Sequence, residues 1–83
     1  MATATLTPMT LNRVRTGDTV QIVSIHGDDA QTQRLLALGL VQGVTVSVVR
    51  VAPLGDPMTL SIAGNQVSVR RNLAKVLEVA SVV

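Results

Sequence analysis

Apolar residues recur along this chain in two rhythms, and each change of rhythm marks an element. Leu11 and Val14 lie three apart in Thr10-Leu11-Asn12-Arg13-Val14, the spacing of one helical turn. Arg15-Thr16-Gly17-Asp18 reads as a turn. Thr19 to Ile25 reads as a strand, with Val20 and Ile22 on one face but Val23 and Ile25 on the other. A change of face in mid-strand predicts a bulge or a sharp bend, as a tightly curved sheet requires. His26-Gly27 ends that strand, and Asp28 or Asp29 caps a helix that runs to Leu38. Gly39 suits the left-handed residue after the helix, and Leu40 then packs back on Leu35 in a Schellman ending. Gly43 turns the chain into a second strand, Val44 to Ala52. Val44, Val46 and Val48 share one face of it, whereas Val49 and Val51 take the other. This second switch again predicts strong curvature.

Pro53-Leu54-Gly55-Asp56-Pro57 is a loop fenced by prolines. Met58, Leu60 and Ile62 alternate with Thr59 and Ser61, which predicts a half-buried strand. Gly64-Asn65 reads as a two-residue hairpin turn, and Val67 and Val69 alternate in the returning strand. Arg71-Asn72-Leu73-Ala74 reads as a short turn or 3₁₀ piece. Lys75 to Val79 reads as the last strand, and Ser81-Val82-Val83 trails off. Residues 1–9, small and polar, read as a flexible tail before a single domain over 10–83. The expected fold is mainly β: a small SH3-like five-stranded barrel with one α-helix inserted after the first strand. Barrel closure would leave no exposed edges.

Composition narrows the function. The chain has 83 residues, 47% hydrophobic and 14% charged, enough for one globular domain and too apolar for disorder. It contains no cysteine and no aromatic residue, so its core must be aliphatic and thiol chemistry is excluded. No apolar run approaches the ~18 residues of a membrane span. The start, MATATLTPMT, carries neither a basic residue nor an apolar segment, so a cytoplasmic location is expected. The formal charge is +2. With no Tyr or Cys to titrate, that small excess of arginine gives a high isoelectric point without implying a nucleic-acid binder.

Each chemistry stands or falls on the residues that could perform it. His26 is the single histidine, and no serine or threonine sits in a nucleophile elbow, so no enzyme is expected. His26-Gly27-Asp28-Asp29 gathers weak metal ligands, but the same residues serve as strand end, turn and cap. Neither a metal nor a cofactor is expected. Arg50, Arg70, Arg71 and Lys75 could form a basic patch, but without aromatic platforms nucleic acid is not the expected partner. A binding module remains. Leu54 between Pro53 and Gly55 either plugs one end of the barrel or forms a rigid anchor for a partner.

The runs RLLALGL..G, VVRVAPLGDP and VSVRR..A..LEV closely resemble the FeoA family over Leu11 to Val79. Gln42 departs from a frequent proline before Gly43, and Gly64-Asn65 makes a tighter hairpin than some members have. The resemblance implies an SH3-like barrel and a cytoplasmic accessory of FeoB-type ferrous iron transporters. Such a protein would meet the transporter's GTP-binding domain or membrane-proximal region, and would reach the inner membrane only through that partner. Expected contact residues are Leu38, Leu40 and Val41 at the helix exit, with Leu54 and Asp56 in the loop. Arg34, Arg50, Arg70 and Arg71 would steer association or supply an arginine finger. Two alternatives stay open: a self-associating module, and an SH3-like domain of the iron-dependent repressor type.

Overall fold

A computed structural model of the chain describes residues 9–82. The elements run β1 (Met9–Thr10), a 3₁₀ turn (Leu11–Arg13), β2 (Thr19–Ile25), α1 (Asp29–Ala37), β3 (Thr45–Val51), β4 (Met58–Ile62), β5 (Asn65–Val69), α2 (Arg71–Ala74) and β6 (Leu77–Ser81). The strands form one antiparallel sheet of six in the order β1-β6-β2-β3-β4-β5. The mainly β, SH3-like expectation holds with six strands rather than five, and among the described residues β1 and β5 do not pair, so the expected closure without edges is not made. The addition is β1, whose two residues pair with Val79 and Glu78. A pair this short has no periodicity of its own. The tail expected over 1–9 lies outside the described residues except for Met9, which β1 contains.

Both changes of face are bulges. In β2, Ile22 faces Val79 and Ser24 faces Glu78, so Val23 is the extra residue. In β3, Val48 faces Leu60 and Arg50 faces Thr59, so Val49 is the extra residue. Each bulge resets the alternation. Val20 and Ile22 are buried before the first, and Ile25 packs on the same core after it. Val46 and Val48 are buried before the second, and Val51 packs on the core after it.

Helix α1 begins in a reciprocal capping box. The Gln31 N–H donates to Asp28 Oδ1 at 2.8 Å, and the Asp28 N–H donates to Gln31 Oε1 at 2.9 Å. Asp28, rather than Asp29, is thus the cap. The helix ends in a full Schellman motif, with Gly39 at φ 85. The Leu40 N–H donates to the Leu35 carbonyl at 2.9 Å and the Gly39 N–H to the Leu36 carbonyl at 3.0 Å. Leu35 and Leu40 are both fully buried. Leu35 and Leu38 are thus the inner face of the helix and Leu40 its apolar stop, joined within a single core that holds no buried polar side chain among the described residues.

Three further boundaries differ from the sequence expectation. The hairpin turn is Ala63-Gly64, because Ile62 pairs with Asn65. Both turn residues have positive φ, 50 and 86, as a type I′ turn demands, and Gly keeps the second position. Arg71–Ala74 is one turn of α-helix. The last strand starts at Leu77 rather than Lys75, because the Lys75 N–H still donates to the Arg71 carbonyl at 2.9 Å. It continues through Ser81, which pairs with Val20.

Candidate functional site

The loop between β3 and β4 meets the start of α2 and the 3₁₀ turn at one corner of the sheet. The Ala52 N–H donates to the Pro57 carbonyl at 3.1 Å, closing the loop base, and the Gly55 N–H donates to the Ala52 carbonyl at 2.7 Å. Gly55 sits at φ 90, a conformation its lack of a Cβ permits. Asp56 Oδ1 accepts the Arg71 N–H at 2.9 Å, satisfying an otherwise unpaired donor at the head of α2. The Arg71 side chain then reaches back. Its Nε donates to the Gly55 carbonyl, and its Nη1 donates to the Asn12 carbonyl at 2.5 Å. One guanidinium therefore fastens the loop to two other elements, using the fixed fork of its donors.

On this braced loop Leu54 projects into solvent, 97% exposed. Of the two alternatives for Leu54, the plug is thereby excluded. An apolar side chain held out by a rigid backbone is pre-organised for contact, because binding need not order it.

The expected contact residues are spread over several elements and differ in exposure. Leu40 is wholly buried, so it is withdrawn as a contact residue: its Schellman position carries it into the core. Arg71 is also withdrawn from the steering set, because its guanidinium is engaged within the chain. Leu38 and Val41 are half-buried beside Gly39. Leu36, missed in the sequence, is 47% exposed on α1. Its neighbour Leu35 faces the core, and a 100° step along the helix turns Leu36 away from it. Arg34 borders a shallow cleft of about 260 Å³ between α1 and α2, which Asp28, Gln31, Asn72 and Leu73 also line. Arg50 faces Thr59, and Thr59 faces Ser68, with extended Arg70 two residues beyond. Arg50 and Arg70 are both exposed there, on the outer face of the sheet.

The weak metal candidates separate in the same way. His26 Nε2 lies 2.7 Å from Glu78 Oε1. Asp28 caps α1, and Asp29 is exposed in its first turn. Among the described residues no three His, Cys, Asp or Glu side chains come together as a metal site. No helix among them is long and apolar enough to cross a membrane.

Fold and corner together define a small SH3-like β module that presents a braced apolar tip. The FeoA domain model matches residues 9–81, and the chain belongs to the FeoA family. It is 41% identical over 71 residues to the Fe(2+) transport protein A/Fe(2+) transporter FeoB fusion protein of Porphyromonas gingivalis. That match covers 86% of this chain but only 8% of the fusion. The solution structure of FeoA from Chlorobium tepidum superposes with a TM-score of 0.83 at 36% identity, covering 90% of this chain and 71% of the other. The solution structure of iron(II) transport protein A from Clostridium thermocellum gives 0.85 at 31%, covering 89% and 46%. A manganese-dependent transcriptional repressor superposes at 0.84 with 19% identity over 95% of this chain and 44% of its own. That likeness is one of fold alone.

Proposed function

We propose that this chain is a non-enzymatic accessory of ferrous iron uptake that docks on the cytoplasmic GTPase region of an FeoB-type transporter and modulates Fe²⁺ passage. The observation that carries the reading is the fusion of a related domain to FeoB in one chain. Joining two modules gives each a high local concentration of the other, and separate chains need a docking surface for the same end. Leu54 supports such a surface here, as a fully exposed apolar residue on a loop tied down by Arg71. Asp56 lies in the same loop, and Leu38 and Val41 add apolar area at the helix exit. Exposed Arg34, Arg50 and Arg70 would raise the association rate with an acidic partner.

The test is capture of the isolated transporter GTPase domain, with and without a GTP analogue, by wild type and by Leu54→Asp. Circular dichroism confirms beforehand that both are folded. A central anchor contributes at least about 2 kcal/mol, so Leu54→Asp should weaken capture roughly 30-fold. Equal capture by both proteins would remove Leu54 from the interface. Absence of capture in either nucleotide state would exclude the GTPase region as the docking partner.

A further inference from the structure

Strand β5 is a sheet edge with none of the usual defences. Among the described residues it pairs with β4 alone. The opposite edge, β1, is only two residues long. Both bulges lie in interior strands, whereas the β4–β5 register runs without a shift from Met58↔Val69 to Ile62↔Asn65. From Met58 to Val69 there is no charged residue and no proline. Exposed edges are ordinarily blunted by charge, proline, bulges or shortness, because unpaired backbone groups recruit other strands.

The register fixes which groups are unpaired. The two-residue turn makes Ile62↔Asn65 a hydrogen-bonded pair, and alternation makes Leu60↔Val67 and Met58↔Val69 hydrogen-bonded too. The N–H and C=O of Gln66 and Ser68 therefore point away from β4. Among the described residues no hydrogen bond uses them.

We propose that β5 joins the β5 of a second copy of this chain, antiparallel, about a two-fold axis through Val67. In that register Gln66 meets Ser68 of the copy and Ser68 meets Gln66. Each pair exchanges two hydrogen bonds, so every outward donor and acceptor of β5 finds a partner. A two-fold register shifted to either side would place Gly64 of the turn, or Arg70 beyond the strand, opposite these residues. Identical copies bring like charges together wherever a charge lies on the axis. Here the axis falls on Val67 in an uncharged strand, and Arg70 comes opposite Gly64. A second copy thus completes the edge without repulsion, as a self-complementary interface requires. With one strand per copy the contact is small, and association is expected in the high-micromolar range or weaker.

Sedimentation with interference optics, which needs no aromatic absorbance, tests this. Wild type should pass from monomer to dimer as its concentration rises towards the millimolar range. The Gln66 and Ser68 amides should gain hydrogen-exchange protection over the same range. Both side chains are exposed, so the fold should tolerate charge at them. Gln66→Lys with Ser68→Lys should remain monomeric, because the register opposes like charges. Gln66→Glu with Ser68→Glu should do the same. Mixing the two variants should restore a dimer, and circular dichroism checks each fold. A wild type that stays monomeric at millimolar concentration overturns the proposal. So does a dimer that persists in either charged variant, since it would use another surface.

Discussion

Ala63 occupies a conformation that its side chain disfavours. Its φ of 50 is forced by a two-residue turn whose second position Gly64 already holds. A Cβ in the left-handed region costs about 1–2 kcal/mol, and Asn tolerates that region better. Ala63→Asn should therefore raise stability by about 1 kcal/mol. The urea midpoint should rise with an unchanged slope. An unchanged or lower midpoint would mean that the turn relaxes without help. This residue also shows why sequence alone places the turn one position late: Gly64-Asn65 and Ala63-Gly64 preserve the same alternation, and only strand pairing separates them. The bulges at Val23 and Val49 were legible because each leaves a mark in the alternation itself. Leu40 was legible as a Schellman residue and illegible as a partner contact, because C″ packing takes it inward. Leu54 was undecided from sequence, because exposure of a loop residue depends on what lies beneath the loop.

Among the elements, the β3–β4 loop depends on a residue far along the chain. Arg71 joins the Gly55 carbonyl to the Asn12 carbonyl. Nothing local in Arg70-Arg71 distinguishes the clamp from a solvated charge, which is why sequence placed both in the steering set. The structure assigns them opposite roles, Arg71 engaged and Arg70 exposed. A lysine ammonium lacks the planar fork that serves two carbonyls in different directions. Arg71→Lys should leave Leu54 in place but loosen its support. The Gly55 amide, bonded to Ala52, should exchange with solvent at least about 10-fold faster, while amides of β3 follow only global unfolding. Capture of the partner should weaken as well, because a mobile anchor must be ordered on binding. Exchange at Gly55 equal to wild type would show that the prolines alone hold the loop.

The whole molecule separates what stabilises it from what it presents. A domain of this size is stable by about 5–10 kcal/mol, and this one relies on a single aliphatic core without a ring in it. The core leucines are therefore shared by every element. Leu40 joins the end of α1 to the sheet and is wholly buried, whereas Leu54 touches little of its own chain. Leu40→Ala should cost about 2–5 kcal/mol, enough to lower Tm by at least roughly 8 °C in a domain this small. Leu54→Ala should change stability by less than about 0.5 kcal/mol. Thermal melts followed by circular dichroism compare them directly. Partner capture should respond the other way. Leu54→Ala should lose it at every temperature, whereas Leu40→Ala should retain it in the cold and lose it as the chain unfolds. If Leu40→Ala lost capture while still fully folded, the helix exit would belong to the contact together with the loop, because Leu40 would then be acting through Leu38 and Val41 beside it.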